Sequence, residues 1–288
     1  MLLWQETQPN TLNLELLNKI PITVIVSVKN EQLNLPSCLE KLTRFSQIII
    51  VDSGSTDDTM DIAKAMGAEV LQFQWNGKFP KKRNWALQNA NLRYEWILFL
   101  DADEFVTDEF VNEVEFKIQD PTHNGYTIQF ENYFMGKKLR YGYGFKKSAL
   151  FKKSKGAYEK IEEDLWSHLD MEVHEHPIID GNVGVIKAKV VHKDFKNLDH
   201  YIAKHNAYST WEAQRYLQIK QSKNTYLTLN QKIKYSLLDT GLLPVVYFIG
   251  AYFLKLGFLD GKEGFYLARF KSHYFFQIQT KVESLKNK

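Results

Sequence analysis

Apolar positions in the first hundred residues alternate between two periods. Ile22 to Val28 (ITVIVSV) is β-branched and almost continuously apolar, the pattern of a strand buried on both faces. Leu35, Cys38, Leu39 and Leu42 then recur at i, i+3, i+4 and i+7, which predicts a helix with Pro36 near its start. Gln47 to Val51 (QIIIV) predicts a second buried strand. The small polar turn Asp52-Ser53-Gly54-Ser55-Thr56 leads into a helix that Asp57 and Asp58 begin and Gly67 ends. Glu69 to Gln74 predicts a third strand, and Pro80 opens a helix running to about Ala90. A fourth strand, Trp96 to Leu100 (WILFL), ends in Asp101-Ala102-Asp103-Glu104. This alternation predicts a parallel α/β sheet with right-handed crossovers.

The pattern changes after about residue 120. Gly125 to Phe134 alternates like an antiparallel or edge strand, and Gly181 to Val191 reads as a hairpin. From about Leu198 the chain reads as helical. The expected organisation is an α/β domain over residues 1–197 and a helical, aromatic and basic extension over 198–288. Thr240 to Leu254 is fifteen residues without a charge, too short for a membrane span and interrupted by Pro244, so a buried or interfacial helix is expected there.

Composition narrows the class. The 288 residues are 44% hydrophobic and 25% charged, which excludes a disordered or low-complexity chain. A net charge of +3 is too small to argue for nucleic acid, and no nucleic-acid partner is expected. The single cysteine, Cys38, excludes an internal disulfide or a multi-cysteine zinc site, and a reducing compartment follows. Met1 to Asn10 shows no basic segment followed by an apolar one, so a cytoplasmic chain is expected.

In an open parallel sheet, ligands sit beyond the carboxyl ends of the strands. Three polar groups end strands here: Lys29-Asn30-Glu31, Asp52-Ser53-Gly54-Ser55 and Asp101-Ala102-Asp103. Two carboxylates at i, i+2 after an apolar strand suit magnesium or manganese, with substrate phosphates completing the shell. The competing reading makes Asp101 and Asp103 a cap and acidic first turn for a helix beginning near Thr107. Asp52 is either a turn-forming residue or an acceptor for the imide N–H of a uracil or thymine ring. Neither the glycine fingerprint of dinucleotide folds nor a P-loop is present.

Four segments in order, VSVKNE (Val26 to Glu31), VDSGSTDDT (Val51 to Thr59), KKRNWAL (Lys81 to Leu87) and LFLDADE ending at Glu104, resemble family 2 glycosyltransferases. Val173-His174-Glu175, His192 and the tail Gly257 to Phe265 resemble the branch containing lipopolysaccharide-core β-glucosyltransferases. The resemblance implies a GT-A fold, a Rossmann-like mixed sheet that binds nucleotide-diphospho-sugars. It implies a donor pocket of Ser27, Asn30, Glu31, Asp52, Lys82, Arg83 and Asp101, with Asn84 nearby. Asp101 and Asp103 would hold the divalent cation, with His192 as a further ligand or a structural residue. Ser53 departs from the pattern, since many relatives carry a second Asp there, and so does Lys29, where an aromatic residue often stands.

Inverting transfer also needs a general base for the acceptor hydroxyl. Glu175 is the candidate, with Glu162, Glu163, Asp164, Asp170 and Glu172 as rivals. The expected enzyme is an inverting, metal-dependent hexosyltransferase using a UDP-sugar, glucose in first place, and a glycan or lipid-linked glycan acceptor in envelope polysaccharide or lipopolysaccharide synthesis. Its rivals are a sugar-nucleotide pyrophosphorylase and a non-catalytic glycan-binding or membrane-scaffold protein on the same fold. The eight basic residues between Lys137 and Lys155 read either as a solvated acceptor loop or as a contact for an anionic lipid. Phe258, Phe265, Tyr266, Phe270, Tyr274, Phe275 and Phe276, with nearby Lys and Arg, suit a membrane interface or an oligomer contact. A peripheral position on the inner face of the plasma membrane is the expectation.

Overall fold

A computed structural model describes residues 19–286, apart from 162, 164, 165, 168, 171–175, 194–196, 222–226 and 228. Strand β1 (Ile20–Val28) lies at the centre of the parallel portion, flanked by β2 (Phe45–Asp52) and β4 (Trp96–Asp101), with β3 (Glu69–Gln72) outside β2. Between these strands run α1 (Leu35–Lys41), α2 (Thr59–Ala65) and α3 (Lys82–Asn89). Burial explains the sequence pattern: seven residues of β1 in succession, from Ile22 to Val28, have helices or loops on both sides. On one face Leu35, Cys38, Leu39 and Leu42 join α2 and α4 (Asp108–Lys117). On the other, Ile25, Ile97 and Phe99 meet Ala86, Phe73 and Tyr158.

The sheet continues past β4 into β8 (Lys146–Lys152), β6 (Gly125–Phe134), β11 (Val183–His192) and β5 (Glu104–Phe105). β7 (Lys137–Lys138) pairs with the end of β6, while β9 (Gly156–Tyr158) and β10 (Pro177–Ile179) form a separate pair. β5 follows β4 after two residues in the chain, yet three strands stand between them in the sheet. Such a path requires the sheet to curl back on itself, and the Asp101–Glu104 segment lies at the closure.

β6 pairs antiparallel with β8, one of the two readings expected of it, and its parallel pairing with β11 makes it an interior and not an edge strand. Gly181 to Val191 is no hairpin. The turn at Asp180–Asn182 separates β10 from β11, but β10 pairs with β9 and β11 with β6.

The C-terminal helices are α5 (Leu198–Gln221), α6 (Leu229–Asp239), α7 (Leu243–Ile249) and α8 (Gly261–Lys286). A π-helical turn (Gly250–Leu254) and a 3-10 turn (Gly257–Asp260) join α7 to α8. Tyr216, Tyr235, Leu238, Tyr274 and Ile278 form the core of this region. The expected aromatic face is therefore divided. Tyr274 is buried, Phe270 packs on Phe134 and Tyr201, and Phe275 on Tyr247, whereas Phe258, Phe265, Tyr266 and Phe276 stay exposed.

Candidate active site

Register brings the strand ends together. Ser27 lies opposite Asp101, and Val28 opposite Asp52, so three of the expected donor residues share the carboxyl edge of β2, β1 and β4. The two loops beyond are stitched to each other. Asn30, at φ 55°, donates its backbone N–H to Ser55 Oγ at 2.8 Å, and its side-chain oxygen accepts from the Thr56 N–H at 2.8 Å. The Glu31 N–H donates to Thr59 Oγ1 at 2.8 Å. Asp52 is buried and accepts from the backbone N–H groups of Gly54 (3.0 Å) and Ser55 (3.0 Å) and from the Ser55 hydroxyl. Its carboxylate thus organises the turn, as an Asx residue does. Beside it, among the described residues, the buried Ser53 hydroxyl oxygen has no hydrogen-bond partner.

The start of α3 supplies cations. Arg83 reaches Asp101 Oδ1 at 3.1 Å. Lys82 is buried, with Asp170 Oδ2 3.7 Å from its ammonium. Burial pulls the Lys82 pKa down, only partly countered by the charges of Asp170, Asp101 and Asp52. Asn84 is structural: its side chain exchanges two hydrogen bonds, each 3.0 Å, with the backbone of Tyr158. Lys81 forms a buried ion pair with Glu163, which also accepts from the Trp211 indole N–H. Glu163 is thereby removed from the rivals for the base. Asp170 stays half-exposed, and Glu175 lies outside the described residues together with Glu162, Asp164 and Glu172.

At the sheet closure, the Lys147 ammonium lies 2.6 Å from both oxygens of buried Glu104 and 3.6 Å from Asp101 Oδ2. Glu104 also accepts from the Asp101 N–H at 3.0 Å. Burial alone would raise Asp101, but Lys147 and then Arg83 outweigh it and hold the carboxyl below the usual range. β11 pairs antiparallel with β5, setting His192 opposite Glu104 and 3.4 Å from Asp103 Oδ2. Burial opposes protonation of His192, yet Asp103 and Glu104 raise it overall. Cys38, also buried, donates its thiol to the Glu104 carbonyl at 3.8 Å, and burial pushes that thiol up, so it is unreactive.

The helix-cap reading of Asp101 and Asp103 does not hold. Thr107 itself caps α4, accepting from the Phe110 N–H at 3.2 Å. Two aspartates with a histidine beside one of them are a suitable donor set for magnesium or manganese only if phosphate oxygens complete it. Among the described residues no cluster of three or more His, Cys, Asp and Glu side chains is placed to hold a metal ion without further ligands. Sequence reasoning missed Lys147, which lies outside every motif and arrives by the pairing of β8 with β6.

The sequence model "Glycosyl transferase family 2" matches residues 23–167 of the chain, half of its length, and includes the ends of β1, β2 and β4 and the start of α3 but not His192. The chain belongs to glycosyl transferase family 2. It is 27% identical over 278 residues to the lipopolysaccharide core biosynthesis glycosyltransferase LpsC of Rhizobium meliloti, covering 92% of each protein. It is 24% identical to the uncharacterized glycosyltransferase RT0209 of Rickettsia typhi, covering 85% of this chain and 80% of the relative. Among solved structures it resembles the mannosyltransferase PcManGT of Pyrobaculum calidifontis, determined with GDP-Man and manganese, at a TM-score of 0.52 and 17% identity over 92% of this chain and 87% of that one. The fold is GT-A, and the family 2 assignment makes the chain a glycosyltransferase.

Proposed function

We propose that the chain is an inverting, metal-dependent transferase that moves glucose from UDP-glucose to a sugar hydroxyl of a lipopolysaccharide-core or other lipid-borne envelope glycan. The observation that carries this reading is the convergence of Arg83 and Lys147 on Asp101 at the sheet edge, two residues before Asp103 and its neighbour His192. Relatedness to LpsC supports the acceptor class.

In this reading the uracil ring lies against the Asp52 turn, where the Ser53 hydroxyl oxygen has no hydrogen-bond partner among the described residues. Arg83 and Lys147 face the diphosphate and take up charge that grows as the sugar departs. A divalent cation held by Asp101 and Asp103, with His192 adjacent, would neutralise the same diphosphate. Glu175 takes the proton of the acceptor hydroxyl, whose oxygen bonds to the sugar's anomeric carbon as the bond to phosphate breaks on the opposite face. UDP leaves, and the anomeric configuration inverts.

The test follows labelled glucose from UDP-glucose into lipopolysaccharide-core acceptors, with manganese or with a chelator. Asp103→Ala should abolish transfer while keeping the wild-type circular dichroism and melting profile. Full activity of that variant, or of the wild type in chelator, would refute the metal assignment, and retention of configuration in the product would refute inversion.

A further inference from the structure

The segment that joins α7 to α8 carries an apolar surface with nothing packed over it. Leu254 is 77% exposed, Phe253 and Leu259 53%, Leu256 44% and Phe258 42%. They lie on two successive turns, the Leu256 N–H donating to the Phe253 carbonyl at 3.1 Å and the Leu259 N–H to the Leu256 carbonyl at 2.9 Å. Tyr252 contacts the rings of Phe253 (5.1 Å), Phe258 (6.2 Å) and Phe265 (5.6 Å), and Phe248 lies 6.0 Å from Phe265. Large apolar tips gathered on successive turns form an interaction surface, unlike scattered single residues.

Its charge is one-sided. Between residues 240 and 269 the cations are Lys255, Lys262 and Arg269, all exposed. The acids are Asp260 and Glu263, and both are drawn inward. Buried Asp260 accepts from the backbone N–H groups of Arg140 (3.0 Å) and Tyr141 (2.9 Å), while Lys137 donates to the Asp260 carbonyl at 2.6 Å and to Glu263 at 3.1 Å. Lys262 lies 3.9 Å from Glu263 yet its side chain stays 76% exposed, so what faces solvent is apolar and mainly cationic.

We propose that this surface, centred on Leu254, Phe258 and Leu259, docks on an anionic lipid bilayer. Rings and leucines enter the acyl boundary while Lys255, Lys262 and Arg269 meet the headgroups. A second copy of the chain fits less well, because a two-fold contact would set these cations against their own counterparts. Among the described residues no single helix is long and apolar enough to cross a membrane. α6 and the stretch from α7 to Leu254 meet at a bend of 119°.

The docked face is wired to the carboxylate site. The Gly142 N–H donates to the Lys255 carbonyl at 2.8 Å, and the Tyr143 ring lies 5.0 Å from that of Tyr247. Four residues further on, Lys147 holds Glu104 and Asp101. A close approach keeps the base of the surface in place: a Cβ on Gly264 would lie 2.1 Å from the Gly257 carbonyl oxygen. Delivery of a lipid-borne acceptor to that site rests on the proposed transfer reaction, whereas bilayer docking does not.

Flotation of the full chain with vesicles, without donor or acceptor, tests the docking. The wild type should float with phosphatidylglycerol–phosphatidylcholine vesicles and much less with phosphatidylcholine alone. Leu254→Glu/Leu259→Glu alters exposed side chains only, so it should melt like the wild type and lose about tenfold or more in partitioning. Lys255→Glu/Lys262→Glu should lose the preference for anionic vesicles. The proposal is overturned if the wild type stays at the bottom of the gradient or if the leucine variant floats as well as the wild type. A dimer in sedimentation that the leucine variant dissolves, with no vesicle binding, would overturn it in favour of a contact between copies.

Discussion

The Arg83 guanidinium lies 3.1 Å from Asp101 Oδ1, joining the first turn of α3 to the end of β4. Arg83 also lies 5.4 Å from the Tyr158 ring centre, so its planar group is oriented as well as charged. Arg83→Lys keeps the charge and loses the fork. We expect kcat/KM for the donor to fall roughly tenfold to a hundredfold, about 1.4 to 2.7 kcal/mol, with the melting temperature little changed. An unchanged kcat/KM would restrict Arg83 to positioning Asp101.

Lys147 is the counter-ion of a carboxylate that has almost no access to water. Glu104 is 1% exposed, and both of its oxygens lie 2.6 Å from the ammonium. Lys147→Met leaves that carboxyl without its cation, a loss that typically costs about 3–5 kcal/mol. Lys147→Met/Glu104→Gln removes the charge and keeps an acceptor for the Asp101 N–H, so most of the loss should return. Denaturant titration of the two variants measures this. A double variant as unstable as the single one would show that Lys147 acts through packing.

Apolar periodicity made the parallel half of the fold legible. β1, β2, β4 and the first helices fall where ITVIVSV, QIIIV and WILFL place them, because a strand covered on both faces permits few polar side chains. Strand ends then located Ser27, Asp52 and Asp101 together. The second half was less legible for a physical reason. Curling of the sheet sets β5 at the far end of the strand path from β4, and no local pattern encodes a closure between segments ninety residues apart. His192 was found only through resemblance, and Lys147 not at all. Within the basic run, Lys137, Lys138, Lys147, Lys152, Lys153 and Lys155 have partners within the protein, which a count of charges cannot show.

Glu175→Gln keeps the side-chain shape and removes the basicity. The rate should fall by about a hundredfold or more while donor affinity holds, since a base acts on the acceptor hydroxyl. Asp170→Asn is the matched control, because Asp170 is the described rival and lies beside Lys82. Steady-state kinetics with isothermal titration of UDP-glucose separates the two. If Asp170→Asn loses the rate and Glu175→Gln does not, the base is Asp170.

Lys271 gives stability a pH dependence of known sign. Its ammonium lies 3.0 Å from His205 Nε2 and 5.9 Å from the Tyr274 ring centre, and burial followed by the charge of Lys204 pulls its pKa down to about 8. Below that value both folded and unfolded chains carry the proton, and the cost of the enclosed charge is fully present. From about 8 to the ordinary lysine value of 10.5, the unfolded chain still binds a proton that the folded chain has released, so stability rises with pH. Burial raises the phenols of Tyr216 and Tyr235, helped by Asp239 and Glu212, and they reverse the slope only above their ordinary value of 10.0. Cys38, which burial raises from its ordinary value of 9.0, opposes the slope above about pH 9, so the clean window runs from about pH 8 to about pH 9. Lys82 and Lys281 shift in the same direction through burial, so Lys271→Met should reduce this slope without abolishing it. The variant should also be the more stable form at pH 7, because a methionine carries no charge to enclose. Denaturant midpoints taken across the window for both proteins test this, and parallel curves would show that the Lys271 ammonium is solvated in the folded chain.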